Sequence, residues 1–338
     1  MKRNVHYSIL VLAVLLICGA LIAGCTTTST GATNVTPSVT TTAAATMSAN
    51  TTADKLLIAT TTSLYDTKLL DYLETDYEKT HNVNLLITSQ GTGKAIELAK
   101  SGNADILLVH SPSQEKAFMD AGYGLNRRSF AYNYFIIVGP KNDPAGIKNM
   151  TPENAFKTIM AQGKNSTANV SFVSRGDASG THSAEQSIWK NAKYNYTVDV
   201  RNSGKWYVEA GKGMGETLQM ASEKGAYTLT DEGTFLAYAG KLNLVPVVSE
   251  GSSLLNVYSV MTVYNDKQPI GKIQQSNEFI NYLISPSTLE KIGNFGKEKY
   301  GKGLFTPMSA GIPKGITVDF TTPATDIKPA TTGNVTAK

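Results

Sequence analysis

Strand patterns and helix patterns alternate along most of this chain, and that alternation limits the fold more than any other feature. Residues 55–59 form an apolar run with the length of a buried strand, and Leu69, Leu73 and Tyr77 then recur at helical spacing. A second strand pattern at residues 84–88 is again followed by a helix pattern. Such alternation indicates an α/β fold in which helices cover both faces of parallel sheets.

The alternation continues into the C-terminal part of the chain. Further strands are predicted near residues 105–109, 135–138, 171–173, 227–229, 245–248 and 257–263. Further helices are predicted near residues 184–190, 216–224, 278–284 and 289–295. Because 338 residues exceed what one small core needs, the chain is long enough for two lobes of ordinary domain size.

The first 25 residues are predicted to be a processing signal. Lys2 and Arg3 precede an apolar stretch at residues 9–23, and the signal ends in Leu-Ile-Ala-Gly-Cys. This end resembles a bacterial-type lipobox, so we predict a lipoprotein signal peptide at residues 1–25, with Cys25 as the lipidated residue. An uncleaved membrane anchor is the alternative, because the apolar stretch approaches the length that spans a bilayer. Both interpretations place the rest of the chain outside the cytoplasm, on the outer face of the cell membrane.

Two segments have the composition of disordered chain. Residues 26–54 are rich in Thr, Ala and Ser and contain few large apolar side chains, so burial cannot offset the entropy cost of ordering them. We predict a flexible tether at residues 26–54 and, from a similar composition, a disordered tail at residues 313–338. The two cysteines are Cys18 and Cys25, so the mature globule has no disulfide and no cysteine-ligated metal.

Three strand-to-helix turns are rich in Ser, Thr and Gly. Their sequences are Thr-Thr-Thr-Ser at residues 60–63, Gly-Thr-Gly-Lys at residues 91–94 and Ser-Arg-Gly-Asp-Ala-Ser-Gly-Thr at residues 174–181. The first N–H groups of a helix lack intrahelical partners and carry partial positive charge, and Ser and Thr hydroxyls add further donors. Helix capping alone would explain one such turn. Three of them, one with Arg175, favour an anion site at the carboxyl ends of the strands.

Other classes of function find little support in the sequence. The formal net charge is +4 and no run of Lys and Arg is present, so nucleic acid is not an expected partner. Asp177, Ser179 and His182 lie close together at a predicted helix start, where side chains diverge rather than form a catalytic triad. His81, His110 and His182 are too scattered along the chain to indicate a metal site. We therefore expect neither catalysis nor a bound metal.

The motifs in and around these turns, taken together, resemble those of one family. The matching segments are residues 59–63, 65–66, 69–70, 91–93, 105–112, 122–124, 126–128, 174–177, 179–182, 213–215 and 227–231. They are similar to the tungstate-binding receptors of Tup-type ABC transporters, and the resemblance extends from Leu57 to Pro307. It implies an extracytoplasmic receptor that captures tungstate and delivers it to an ABC permease and its ATPase subunit, with a monomer expected.

The resemblance also implies a fold, the type II fold of periplasmic binding proteins, in which two α/β lobes are joined by two crossover strands. We expect the crossovers near residues 132–136 and 248–254. Lobe one would then contain residues 55–132 and 254–312, and lobe two residues 133–253. The ligand would bind between the lobes and close them about this hinge.

Residue by residue, the resemblance assigns oxyanion contacts to both lobes. The assigned residues are Thr61, Thr62, Ser63 and Thr92 in lobe one, and Arg175, Ser179, Gly180 and Thr181 in lobe two. Asp177 is expected to hold Arg175 in place, because a carboxylate aimed at a dianion would repel it. No catalytic residue, metal or cofactor is expected, and the ligand is tungstate or the nearly isosteric molybdate. Two alternatives stay open: a receptor of the same fold for molybdate or phosphate, and a surface adhesion or structural lipoprotein.

Overall fold

Strands and helices alternate through the part of the chain that this computed structural model describes, residues 53–165 and 169–329. The strands are β1 (Asp54–Thr61), β2 (Val83–Gln90), β3 (Ile106–Val109), β4 (Gly124–Gly139), β5 (Phe172–Ser174), β6 (Tyr207–Glu209), β7 (Thr228–Asp231), β8 (Val245–Val248), β9 (Leu255–Val263) and β10 (Thr306–Pro307). The helices are α1 (Thr62–Asp66), α2 (Leu69–Glu78), α3 (Thr92–Lys100), α4 (Pro112–Asp120), α5 (Pro152–Lys164), α6 (Gly180–Asn191), α7 (Met214–Lys224), α8 (Glu232–Tyr238), α9 (Ile270–Leu283), α10 (Pro286–Asn294) and α11 (Lys297–Tyr300).

Local sequence signals account for several helix boundaries. Thr151 caps α5 by accepting a hydrogen bond from the Asn154 N–H, and a proline occupies the first turn. Ser285 caps α10 in the same way, again followed by a proline. Proline suits this position because the first helical N–H groups have no intrahelical partner to lose. At the other end of α7, Gly225 adopts a left-handed conformation (φ 58°), which glycine tolerates without steric cost.

The main sheet has the strand order β10-β4-β9-β3-β1-β2. Strand β1 runs parallel to β2 and β3, as predicted. However, β9 pairs antiparallel with β3 and β4, and β7 and β8 pair antiparallel with the C-terminal half of β4. The prediction of parallel sheets therefore holds for β1, β2 and β3 and is wrong for β4, β7, β8 and β9. The long strands β4 and β9 run side by side in opposite directions, which needs no helical crossover between them.

Strand β4 is 16 residues long and changes partners along its length. It pairs with β9 as far as Tyr134, opposite Leu255. From Phe135 onward it pairs with β7, where Phe135 lies opposite Asp231. The same strand thus leaves one group of strands and enters another, as a crossover strand does.

The outer parts of the chain form a core around the main sheet. Leu56 on β1, Leu73 on α2 and Phe279 on α9 belong to one apolar cluster and are at most 1% exposed. Phe118 on α4 and Met261 on β9 belong to a second cluster, formed with α3. The sheet is therefore covered by helices on both faces, and burying side chains of this size contributes roughly 1.5–3 kcal/mol each.

The middle of the chain forms its own core. Phe156, Trp189 and Tyr227 are fully buried in one cluster, and Val173 and Leu218 lie in a second. The described residues nevertheless belong to one compact unit. The lobe limits at residues 132/133 and 253/254 stay predictions.

Part of the predicted tail is ordered, and the prediction of disorder from residue 313 is wrong there. The Asn281 side chain bonds both the N–H and the C=O of Ala324, at 2.7 and 3.2 Å. Arg128 donates to the carbonyls of Thr322 and Pro323. Side chains of lobe one thus satisfy the backbone of an extended segment, a pairing that composition does not reveal.

Several predictions lie outside the described residues. These are the signal peptide at 1–25 with Cys25, most of the tether at 26–54, and the last part of the tail, 330–338. Among the helices of the described part, none combines the length and the apolar character needed to cross a bilayer.

Candidate functional site

The first of the three turns joins β1 to α1. Thr61 caps α1, and its Oγ1 lies 3.3 Å from the donating N–H of Leu64. Thr61 and Ser63 are fully buried, with their hydroxyl oxygens 3.1 Å apart. The Oγ1 of Thr62 is buried and has no hydrogen-bond partner among the described residues. Of the three hydroxyls, Thr62 therefore offers the donor that no protein group uses.

The second turn lies where β2 passes through Gly91 into α3. A side chain at Gly91 would place its Cβ 3.0 Å from the Oδ2 of Asp177, so any other residue here would force Asp177 to shift. Thr92 is fully buried, and its Oγ1 accepts a hydrogen bond from the N–H of Gly180 at 3.0 Å. Two residues predicted to contact the ligand, one from each lobe, therefore contact each other.

The third turn follows β5 and carries the arginine. Arg175 is 1% exposed, and its Nη2 lies 2.5 Å from the Oδ2 of Asp177. The Oδ1 of Asp177 accepts a hydrogen bond from the N–H of Ser179 at 3.2 Å. Ser179 in turn caps α6 by accepting from the His182 N–H. Asp177 is therefore occupied on both oxygens and fixes one edge of the guanidinium.

Residues from the three turns line one small cavity. Its lining consists of Thr62, Gln90, Gly91, Lys94, Arg175, Asp177, Gly211, Lys212 and Gly213, and its volume is about 180 Å³. We call it the interlobe cavity, because the first four residues belong to lobe one and the others to lobe two. Its volume lies below the roughly 300–1,000 Å³ typical of sites for drug-sized molecules. The space suits a small ion.

The predicted residues divide into two groups around this cavity. Thr62, Arg175 and Asp177 line it. The other predicted residues, Thr61, Ser63, Thr92, Ser179, Gly180 and Thr181, do not line it and lie buried in or beside the same turns. Most of them are tied to protein partners, but Thr181, 1% exposed, has a hydroxyl without a partner.

Unpaired polar atoms concentrate in these turns. Seven buried side-chain atoms have no hydrogen-bond partner within the described ranges, and four of them are Thr62 Oγ1, Arg175 Nε, Arg175 Nη1 and Thr181 Oγ1. A buried polar group without a partner costs roughly 1–3 kcal/mol, and a charged group costs more. All four atoms can donate hydrogen bonds, so together they can bind an anion.

Carboxylates surround the guanidinium at different distances. Burial lowers the pKa of Arg175, while Asp177, Asp66 and Asp231 act in the opposite direction. Arginine nevertheless stays charged, because its ordinary pKa is far above neutrality. Burial also raises the pKa of Asp66 and of Asp231, so both carboxyl groups take up a proton more readily than usual.

A buried histidine that sequence reasoning set aside also belongs to the site. The Nε2 of His110 lies 2.8 Å from the Ser63 Oγ, and its Nδ1 lies 2.7 Å from the Asn256 Oδ1. The Asn256 amide nitrogen donates to Asn133 and Tyr258, which fixes the orientation of that amide. His110 Nδ1 therefore carries the proton, and Nε2 accepts from the Ser63 hydroxyl.

Burial lowers the pKa of His110 to about 4, so the imidazole is neutral at pH 7. Ser63 consequently directs its proton towards His110 rather than towards the interlobe cavity. The ring also packs against Gly180, where an added Cβ would lie 2.7 Å from the imidazole Cε1. His110 lies within a segment that carries the family resemblance, which is the signal that could have identified it.

The buried carboxyl group of Glu185 is hydrogen-bonded to the start of the third turn. Glu185 accepts hydrogen bonds from Ser174, Tyr207 and Trp189, at 2.6, 2.5 and 3.2 Å. Ser174 Oγ also accepts from the Gly176 N–H, next to Arg175. Burial raises the pKa of Glu185 to about 7. Hydrogen bonds through Ser174 thus link the loop that carries Arg175 to a titratable group.

Known proteins are similar to this chain in sequence and fold. A family model described as a PBP superfamily domain matches residues 29–287. The tungstate-binding protein TupA of Peptoclostridium acidaminophilum is 40% identical over 255 residues, which are 75% of this chain and 86% of that protein. The chain belongs to the TupA family within the PBP superfamily. Its fold is the type II fold of periplasmic binding proteins.

Two further proteins are similar to this chain over comparable lengths. A putative ABC transporter anion-binding protein of Haloferax volcanii is 42% identical over 259 residues, 75% of this chain and 72% of that protein. The solved structure of TupA from Desulfovibrio alaskensis is 42% identical with a TM-score of 0.61, covering 75% of this chain and 99% of that one. The two TupA proteins are named as tungstate-binding proteins, and the Haloferax protein is named as a component of an ABC transporter. Within the described residues, no group of three or more His, Cys, Asp and Glu side chains could hold a metal ion.

Proposed function

We propose that this chain is an extracytoplasmic receptor that binds tungstate between its two lobes and delivers it to an ABC permease with its ATPase subunit. The observation that carries the proposal is the Arg175 guanidinium, which is buried and has two nitrogens without a protein partner beside the interlobe cavity. Asp177 pairs with only one edge of this cation, and buried charged donors without hydrogen-bond partners are costly, so an anion bound at the free edge would stabilise the site. The similarity to tungstate-binding proteins supports tungstate as that anion.

The balance of donors and acceptors supports an oxyanion that carries no proton. Tungstate at neutral pH is a dianion whose oxygens all accept hydrogen bonds. The carboxylate of Asp177, which lines the interlobe cavity, is occupied by Arg175 and by the Ser179 N–H. The His110 imidazole is occupied by Ser63 and Asn256. A hydrogen phosphate would need an acceptor for its proton, and on Asp177 it would have to share an oxygen that already accepts from Arg175 or from Ser179.

We assign the contacts as follows. Thr62, Arg175 and Thr181 supply the donors that have no protein partner. The remaining proposed ligand contacts are Thr61, Ser63, Thr92, Ser179 and Gly180. They would reach the anion only by exchanging their present hydrogen bonds within the protein. Asp177 positions Arg175 without contacting the anion. Charge-assisted hydrogen bonds contribute roughly 1.5–3 kcal/mol each, so a few of them support sub-micromolar binding after the cost of association.

The location of the receptor completes the proposal. We propose that residues 1–25 are a signal peptide, that Cys25 carries the lipid anchor and that residues 26–54 tether a monomeric receptor to the outer face of the membrane. A diacylated cysteine supplies two hydrocarbon chains, which suffice for stable attachment. Mass spectrometry of the purified native protein tests this part, because an N-terminus at Met1 without lipid would contradict it.

A panel of oxyanions tests the ligand assignment. Tungstate, molybdate, sulfate and phosphate are added separately to the protein, and thermal unfolding is followed together with calorimetric titration. A tight ligand stabilises the folded state by about 4 kcal/mol at a thousandfold excess over Kd, which raises Tm by several degrees. We expect large shifts with tungstate, similar or smaller shifts with molybdate and little effect of sulfate or phosphate.

Other outcomes of the same panel would reject the proposal. A response to phosphate alone would identify a phosphate receptor of the same fold. No response to any of the four anions would favour a surface adhesion or structural lipoprotein.

A further inference from the structure

The loop that carries Arg175 is held in an unusual backbone conformation by the opposite lobe. Ala178 in this loop has φ 57°, the left-handed region that residues other than glycine rarely adopt. Its N–H donates to His182 Nδ1 within lobe two, at 3.1 Å. Its C=O accepts from Gly93 N–H at 3.2 Å and from Gln114 Nε2 at 3.3 Å, and both donors belong to lobe one.

The Gln114 side chain contacts residues of both lobes. It lies on α4, and its Nε2 also contacts Ser183 Oγ on α6 at 2.8 Å and Ser111 Oγ in its own lobe at 3.1 Å. The carbonyl oxygen of Ala178 can only accept, so the amino group of the amide must face it. The amino group has two N–H donors for these three oxygens, and two of the oxygens, Ala178 O and Ser183 Oγ, belong to the opposite lobe, so its hydrogen bonds hold the Gln114 side chain between the lobes.

We propose that Gln114 is an interlobe latch, a positioning residue that couples lobe closure to the anion-binding conformation of the loop. This inference rests on the proposed function. Gln114 does not line the interlobe cavity and acts through Ala178, three residues from Arg175. Separation of the lobes removes both lobe-one donors from the Ala178 carbonyl, so the left-handed conformation loses its support. The loop then relaxes, and the Arg175 donors lose their alignment.

The latch predicts a specific kinetic signature. Gln114→Ala removes two bonds across the lobes and should speed tungstate release about tenfold, while the association rate stays the same, because the latch forms only after closure. Stopped-flow dissociation of bound tungstate, chased with excess molybdate, measures this rate. The matched control is Ser113→Ala, because Ser113 is the exposed neighbour of Gln114 on α4.

A second substitution separates positioning from a general structural role. Ala178→Gly lets the loop adopt positive φ without help from lobe one. In the Gln114→Ala background it should therefore restore part of the slow release. A loss of binding caused by damaged packing would not be rescued in this way.

A measurement without ligand keeps the latch testable if tungstate does not bind. Spin labels are placed on Lys116→Cys and Lys190→Cys, two exposed positions on α4 and α6, after Cys18 and Cys25 are replaced by serine. In the free protein, Gln114→Ala should shift the label-to-label distances to larger values. Absence of tungstate binding by the wild type would reject the proposed function alone. Unchanged distances in the free protein would reject the latch, whether or not tungstate binds.

Discussion

Replacement of Arg175 by alanine is the sharpest test of the site. The guanidinium contributes Nε and Nη1, two charged donors without protein partners. Each charge-assisted bond to the ligand is worth roughly 1.5–3 kcal/mol, so the loss amounts to about 3–6 kcal/mol. Since each 1.4 kcal/mol is a factor of ten, Kd for tungstate should rise by about 10² to 10⁴. Calorimetric titration at fixed ionic strength measures the change.

A second arginine provides the matched control. Arg128 is 7% exposed and donates hydrogen bonds to the carbonyls of Arg127, Thr322 and Pro323. Arg128→Ala should lower the Tm of the free protein and leave Kd for tungstate within about threefold. Arg175→Lys should fall between wild type and Arg175→Ala, because lysine keeps the charge but lacks the two-nitrogen edge.

The comparison has a clear opposing outcome. If Arg128→Ala and Arg175→Ala weaken binding equally, the anion does not bind at the interlobe cavity. If Arg175→Ala leaves Kd within threefold of the wild-type value, the unpaired nitrogens of Arg175 do not contact the ligand, and the assignment of this residue is wrong.

Three further substitutions test other parts of the structure. Asn281→Ala removes both of its bonds to the C-terminal segment and should cost about 1–3 kcal/mol, seen as a Tm lower by several degrees in differential scanning calorimetry; an unchanged Tm would mean that the segment is not docked in solution. Burial raises the pKa of Glu185 from 4.5 to about 7, so the free energy of unfolding falls by about 3 kcal/mol as pH rises from below 4.5 to above 7. Urea unfolding should show this loss in the wild type relative to Glu185→Gln, and a constant gap between the two proteins would contradict it. Gly180→Ala forces a Cβ to within 2.7 Å of the His110 ring and should lower stability by about 1–3 kcal/mol, whereas Gly240→Ala, with open space around it, should not.

Local sequence patterns were sufficient for the elements that depend on neighbours in the chain. Apolar runs and helical spacing placed β1, α2, β3 and β8, because burial on one face imposes a period that is visible in the sequence. The same local logic identified the turn after β5, where Asp177 and Arg175 pair two residues apart. Composition did not reveal the docked C-terminal segment, whose order comes from side chains more than 40 residues away.

The sequence by itself therefore determined many of the strands and helices, although not α4 and α5, and it determined which turns carry groups able to bind an anion. Only the tertiary structure decided which of those groups are free to do so. Ser63 directs its hydroxyl to His110, Thr92 accepts from Gly180, and two nitrogens of Arg175 are left unpaired. A hydrogen bond depends on distance and direction to within a few tenths of an ångström, and no pattern along the chain encodes which distant partner reaches a donor first.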